Sequence, residues 1–302
     1  MMKLRNSKQS NRRRNRSSLY PEESSLRSFG RIVLPFLTYY LLNLVVSILF
    51  MIGVRLYLSA SGTYSLELWQ QTLSGLGYEM TLLMAIAAIP IMLRWYKKDR
   101  ARRAAAGAIE TPTEEQIETR KKKQPLQLLL CALMGISACF LVNHLMMLTG
   151  MTTAHAQDVE SVSKILYQGR LILELAGTAV IIPVAEELVY RALTMGRIQD
   201  YLGTPLAIGT SAIIFGAMHG NLLQGLFAFA LGLLLGWSYS RCRSLAAPMI
   251  LHMGANLISV LVSETQVFGF VYRSNSAFLV VTVGSGILLL LCLVALVKCT
   301  KE

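Results

Sequence analysis

Long apolar segments alternate along the chain with shorter polar segments, most of which are rich in Lys and Arg. A helix of roughly 20 apolar residues is long enough to cross the hydrocarbon core of a bilayer. The apolar segments therefore predict about eight transmembrane helices. These helices cover about Ile32–Val54, Leu73–Leu93, Leu126–Leu148, Leu166–Leu193, Pro205–His219, Leu222–Tyr239, Leu245–Val262 and Ala277–Val297. The predicted fold class is all-α, a polytopic integral membrane protein.

Composition agrees with this pattern. Of the 302 residues, 54% are hydrophobic and only 15% are charged, whereas soluble domains carry about 25% charged residues. The net charge of +12 raises the question of nucleic-acid binding. However, the basic residues cluster before Arg16 and at the ends of apolar segments, with few aromatic residues among them. This placement is typical of membrane topology and of contact with anionic lipid headgroups, and it argues against a nucleic-acid partner.

The distribution of Lys and Arg also predicts organisation and orientation. Residues 1–30 read as a disordered, basic cytoplasmic tail. Residues 31–150 form a three-helix membrane segment with a basic cytoplasmic loop at 94–123, which is a solvated loop near anionic lipid or, alternatively, a docking site for an acidic partner. Residues 160–265 form a core, and 266–302 form a last helix with a basic tail. The first apolar segment is too long for a signal peptide's apolar region of about 7–15 residues. Both termini are therefore expected in the cytoplasm of a multi-pass cell-membrane protein.

The five cysteines are expected to be buried and unpaired, because most of them lie in or beside apolar segments without paired spacing. They are Cys131, Cys139, Cys242, Cys292 and Cys299.

Ionisable residues inside apolar segments are costly and therefore candidates for function. Glu186 and Glu187 are adjacent within one such segment, and Arg191 follows Glu187 by four residues, on the same helix face. Pairing of Glu187 with Arg191 would leave Glu186 unpaired on a different face, a setting suited to a general base. A structural ion pair at a helix end is an equally good interpretation of this group alone.

Two further groups have the same one-turn spacing. Phe215 precedes His219 by four residues, and His252 precedes Asn256 by four residues with Gly254 between them. Taken separately, a structural histidine and polar contacts between helices explain these groups well. Taken together, the three groups supply a base, hydrogen-bond donors and a charge stabiliser from three helices, which is what water activation and oxyanion binding require. His144 stands apart from them and is interpreted as a structural or interfacial histidine.

The succession Glu-Glu-x-x-x-Arg, Phe-x-x-x-His and His-x-x-x-Asn on successive membrane helices resembles the CPBP family of intramembrane proteases. This family includes the type II CAAX prenyl endopeptidases and the bacterial Abi proteins. The resemblance covers about residues 166–265. It implies a catalytic core of four helices and cleavage of a membrane-associated, leader or prenylated peptide, here expected near the cytoplasmic side of the membrane.

The resemblance also implies roles for the matched residues. Glu186 would activate water with help from His219, Glu187 and Arg191 would pair, and His252 and Asn256 would stabilise the oxyanion. Phe215 would support His219. A mechanism without a metal cofactor is favoured, but one glutamate and two histidines (Glu186, His219 and His252) could form a three-ligand zinc set.

Two other functions stay open. The first is a non-catalytic binding or immunity protein of the same family. The second is a proton-coupled carrier, because intramembrane glutamates and histidines also build proton relays; the absence of an inverted repeat in the sequence argues against it.

The depth of one residue raises a difficulty. At about 1.5 Å per residue, Glu186 and His252 lie about 10 Å from the cytoplasmic ends of their predicted helices, whereas His219 lies about 20 Å from Pro205. The fifth helix must therefore start deeper than predicted, or be short and broken at Gly220.

Overall fold

The structure is a computed structural model that describes residues 24–109, 113–158, 160, 163 and 170–300. Within these ranges the chain is helical and contains no strand, which confirms the all-α fold class. The helices are α1 (Ser25–Ala60), α2 (Leu66–Gly75), α3 (Gly77–Ala105), α4 (Glu114–Leu148), α5 (the single turn Met151–Ala154), α6 (171–202), α7 (Thr204–Ala217), α8 (Leu222–Cys242), α9 (Ala246–Glu264) and α10 (Asn275–Cys299).

Each predicted span corresponds to a helix. Among the described residues, six helices are long and apolar enough to cross a membrane: α1, α3, α4, α8, α9 and α10. The fourth predicted span corresponds to α6, which contains non-α stretches; its first predicted residues, 166–169, lie outside the described residues. The fifth is the shorter apolar helix α7. The chain is therefore a multi-pass membrane protein.

Two segments differ from the prediction. Helix α1 begins at Ser25 rather than near Ile32, because the Ser24 side chain accepts a hydrogen bond from the backbone N–H of Arg27 and so caps the helix. The predicted disordered tail covered residues 1–30. Residues 25–30 are instead helical, and residues 1–23 lie outside the described residues. Helix α2 was not predicted; Ser65 caps its N-terminus in the same way.

The predicted basic loop at 94–123 is largely helical. Helix α3 continues to Ala105, and α4 begins at Glu114, where Thr113 and Gln116 form a reciprocal capping box. Residues 110–112 lie outside the described residues. Most of the basic residues of this region are therefore carried on two helix ends.

Glycines set the closest helix contacts in the bundle. Helix α4 packs along α9, where a Cβ on Gly135 would lie 1.9 Å from the carbonyl oxygen of Leu251 and one on Gly254 would lie 2.7 Å from that of Ala132. Only glycine permits backbones to approach so closely. Helix α4 therefore packs directly against the predicted four-helix core, α6 to α9.

The two ends of the bundle differ in charge. One end, here called the basic end, is held together by contacts of arginines on α3, α6 and α8. Arg103 pairs with Asp200 at 2.9 Å, Arg197 pairs with Asp99 at 2.7 Å, and Arg241 donates to the hydroxyl of Thr300 at 2.7 Å.

The opposite end includes the connections 61–65, 218–221 and 265–274 and the described residues 149–158 of the connection between α4 and α6. There Arg170 pairs with Glu79, and the His144 ring lies 2.8 Å from the Thr282 hydroxyl and stacks on Phe278. His144 is thus a buried residue that contacts α10, in agreement with the structural interpretation.

All five cysteines are free. Cys131, Cys139 and Cys292 are buried, and Cys242 and Cys299 are partly buried.

Candidate active site

The two adjacent glutamates lie in an irregular part of α6. The α-helical stretch Ile182–Glu187 stands between two π-helical stretches, Gly177–Ile181 and Leu188–Met195. A π-helical stretch changes the angular position of the side chains that follow, and such stretches occur frequently at functional sites. The backbone therefore departs from regular α geometry on both sides of Glu186 and Glu187.

Glu187 is completely buried between two partners. Its Oε2 lies 3.4 Å from Nε of Arg191, and its Oε1 lies 3.0 Å from Nδ1 of His252. Beside this guanidinium, the carboxylate of Glu187 accepts a hydrogen bond from Nδ1–H of His252. The predicted pairing of Glu187 with Arg191 is present, and His252 joins it.

Arg191 is also completely buried. Its guanidinium carbon lies 4.4 Å from the centroid of the Phe215 ring, an arrangement typical of a cation–π contact. Its Nη2 donates to the carbonyl oxygen of Gly232 at 3.5 Å. Within the described part of the chain, its Nε and Nη1 have no hydrogen-bond partner. The charge of Glu187 and the face of Phe215 therefore stabilise a guanidinium that is removed from water.

His252 lies between the two glutamates. Its Nε2 is 3.6 Å from Oε2 of Glu186, too long for a hydrogen bond but within ion-pair range. His252 therefore approaches Glu186 from α9, a contact that the sequence did not predict. Glu186 is nevertheless the more accessible glutamate: 18% of its side chain is exposed, compared with 0% for Glu187.

His219 lies just after the C-terminus of α7. The helix starts at Thr204 and ends at Ala217, and the chain turns at Gly220, whose φ of +78° suits glycine. Of the two alternatives for this helix, the short and broken form is correct. The turn brings the His219 ring to 4.6 Å from the Phe215 ring, which lies 5.7 Å from the His252 ring.

The tautomer of His219 follows from its hydrogen bond. Nδ1 lies 2.6 Å from the carbonyl oxygen of Phe215. A carbonyl oxygen only accepts, so Nδ1 carries the proton. In the neutral ring Nε2 then has a free lone pair, which can accept a proton.

Asn256 is oriented by the first π-helical stretch. Its Nδ2 donates to the carbonyl oxygen of Thr178 at 2.8 Å, which leaves the second N–H of the amide for another acceptor. The Tyr78 hydroxyl fixes the same stretch: it accepts from the backbone N–H of Thr178 at 3.1 Å and donates to the carbonyl oxygen of Leu173 at 2.9 Å.

Sequence reasoning missed Tyr78 and Thr178. A Cβ on Gly177 would lie 2.0 Å from the Tyr78 hydroxyl, so this glycine is required where the tyrosine inserts. No local pattern links Tyr78 to a segment about 100 residues later, but a glycine next to Thr178 in an apolar helix was a signal of close approach.

These elements surround one cavity of about 720 Å³. Five of the predicted site residues line it: Glu186, Phe215, His219, His252 and Asn256. Glu187 and Arg191 are not among the lining residues and lie behind the wall that Glu186 and His252 form. The structure thus brings all seven predicted residues together. Five of them line the cavity, and the Glu187–Arg191 ion pair packs behind them.

The three residues predicted as possible zinc ligands were Glu186, His219 and His252. Among the described residues, no group of three His, Cys, Asp or Glu side chains is arranged to hold a metal ion. Nδ1 of each histidine is engaged, by Phe215 or by Glu187, so Nε2 is the ring nitrogen left for another partner. In this arrangement, therefore, the described side chains of Glu186, His219 and His252 do not form a ready metal-binding group.

Residues 168–258 match the family model of the Type II CAAX prenyl endopeptidase Rce1-like proteins. The match covers all three motifs and confirms the resemblance to the CPBP family. No curated protein and no solved structure matches the chain significantly. The matched segment thus contains all seven predicted site residues.

Proposed function

We propose that this chain, whose core is of the CPBP family of membrane endopeptidases, hydrolyses a peptide bond with water activated by Glu186. The observation that carries the proposal is the shared cavity. Within a membrane-embedded bundle, Glu186, His219, His252 and Asn256 face the same space, while a buried ion pair supports them from behind.

Glu186 acts as the general base. Its carboxylate is partly exposed to the cavity and can remove a proton from a water molecule as the water oxygen attacks the substrate carbonyl carbon. Nε2 of His219, which has a free lone pair in the neutral ring, holds or relays a proton beside it. The carbon–nitrogen bond then breaks, and the proton passes to the leaving amine.

Asn256 and His252 stabilise the oxyanion. The second N–H of the Asn256 amide is aimed by the bond of the first to Thr178. His252, held by Glu187 through Nδ1, supplies positive charge when its Nε2 is also protonated. Because such hydrogen-bond donors are already oriented before the reaction, little reorganisation is needed as the negative charge develops on the substrate oxygen.

Glu187 and Arg191 have a positioning role. Both are fully buried and line no part of the cavity. Glu187 fixes the His252 ring, and Arg191 compensates the charge of Glu187. We expect them to affect the rate through the orientation of His252.

The remaining assignments belong to the same proposal. The partner is a peptide or protein substrate, anionic lipids contact the basic end, and no cofactor is required. The chain resides in the cell membrane with both termini in the cytoplasm, which agrees with the Lys and Arg at the basic end.

The test is cleavage of a quenched-fluorescent peptide library, prenylated and plain, by the purified protein in detergent. Glu186→Gln is the inactive variant, and Glu118→Gln, an exposed glutamate on α4, is the matched control. We expect cleavage by the unmodified protein and by Glu118→Gln only. Binding of peptides with no cleavage by any form would support the non-catalytic function, and equal cleavage by Glu186→Gln would remove the proposed base.

A further inference from the structure

The cavity is open at one end of the bundle. Its wall includes exposed residues that belong to that end: Met147 at the C-terminus of α4, and Met218 and Gly220 in the turn after α7. Asp158, in the connection between α4 and α6, and Tyr272, in the connection between α9 and α10, line it as well. All five lie at the end opposite to the basic end.

The route from the basic end is closed. Every residue over 187–198 is buried, a stretch of roughly 16 Å at the rise of an α-helix. Beyond it, the pairs Arg197–Asp99 and Arg103–Asp200 join α6 to α3 at 2.7 and 2.9 Å. A peptide from that side would have to separate buried ion pairs before it met Glu186.

The charges define which side of the membrane each end faces. Lys and Arg are enriched on the cytoplasmic side of membrane proteins. The basic end carries Lys97, Lys98, Arg241 and Lys298 beside the arginines of the two pairs. The closed end of the cavity is therefore cytoplasmic, and the open end faces the other side of the membrane.

We propose that the substrate reaches Glu186 from the extracytoplasmic side, and that it is an extracytoplasmic segment of a secreted or membrane-anchored polypeptide. This inference rests on the proposed function. It replaces the expectation of cleavage near the cytoplasmic side, and it excludes a prenylated cytoplasmic tail that approaches from the basic end.

The cavity also limits what the segment contains. A volume of about 720 Å³ is that of a pocket for a ligand of drug size, so it holds a few residues rather than a folded element. Its wall includes Met146, Met147 and Met218, flexible side chains that adapt to varied apolar groups. The described lining contains the carboxylates Asp158 and Glu186 but no Lys or Arg. Apolar segments without acidic residues fit this wall best.

The first test concerns orientation and needs no activity. Ala156 at the open end and Ala104 at the basic end are both exposed alanines. Ala156→Cys and Ala104→Cys are treated in intact cells with a membrane-impermeant maleimide, with the unmodified chain as the labelling blank. We expect Ala156→Cys to be labelled at least tenfold more than Ala104→Cys, and equal labelling after permeabilisation. The reverse order in intact cells would overturn the inference.

The second test uses a membrane-impermeant quenched peptide from the library. Sealed right-side-out and inside-out vesicles receive it with and without detergent, and Glu186→Gln vesicles give the background. We expect cleavage by right-side-out vesicles without detergent and by inside-out vesicles only after detergent. The opposite pattern would overturn the inference. Failure of cleavage even in detergent would count against the proposed function, while the labelling result would still decide the orientation of the cavity.

Discussion

Removal of either member of the buried Glu187–Arg191 pair should be strongly destabilising, and removal of both should cost less than the sum of the two single effects. Their closest atoms are 3.4 Å apart and neither side chain is exposed. At an effective dielectric constant of about 20, two unit charges at this distance attract by about 5 kcal/mol. Arg191→Met leaves Glu187 with His252 as its remaining partner, and loss of one member of a buried pair costs about 3–5 kcal/mol.

The double variant Glu187→Gln, Arg191→Met removes both charges together. No charge is then left without its partner. The loss of stability in the double variant should therefore be about 2 kcal/mol smaller than the sum of the two single losses, within the range found for residues in contact. Arg55→Met is the control, because Arg55 is an exposed arginine on α1 whose guanidinium faces the ring of Tyr64.

The free energy of unfolding is measured by SDS-induced unfolding in mixed micelles, followed by tryptophan fluorescence. The five forms are the unmodified protein, Glu187→Gln, Arg191→Met, the double variant and Arg55→Met. We expect a large loss for Arg191→Met and no comparable loss for Arg55→Met. Additivity of the single variants within about 0.5 kcal/mol would refute the account of a coupled buried pair.

Three further predictions concern the packing and chemistry of the site. Tyr78→Phe removes the hydroxyl that accepts a hydrogen bond from the buried N–H of Thr178. We expect stability to fall by about 1–3 kcal/mol and kcat to fall with little change in KM. An unchanged kcat would exclude a positioning role for Tyr78. Gly135→Ala places a Cβ 1.9 Å from the Leu251 carbonyl oxygen. This overpacking should cost about 1–3 kcal/mol in stability, measured as a lower Tm. The control Gly53→Ala, with no atom within 4 Å of the added Cβ, should not lower Tm. Cleavage should persist after treatment with a chelator, and a loss that zinc restores would contradict the metal-free mechanism.

The helices were predictable because apolar length in a membrane protein directly sets helix position. The capped starts at Ser24 and Thr113 were not predicted, because helices that project into water continue beyond the apolar segment that marks the span. Helix α2 was missed for a related reason: it is too short to be recognised as a span.

The site was predictable as a set of residues but not as an arrangement. One-turn spacing indicated that Glu187 and Arg191 would pair. The contact of His252 with both glutamates depends on how α9 packs against α6, and the π-helical stretches depend on Tyr78 inserting beside Gly177. Neither contact is encoded locally. Helix counting likewise left two alternatives for the depth of His219 and did not indicate the end at which the cavity opens.

The most direct test of the central claim is the initial rate at which Glu186→Gln cleaves the best peptide from the library, relative to the unmodified protein at equal folded concentration. General-base catalysis contributes about 10²- to 10⁴-fold. We predict that Glu186→Gln lowers kcat by at least about 10²-fold, with unchanged thermal stability. A kcat within a few-fold of the unmodified value would show that Glu186 does not activate the water molecule.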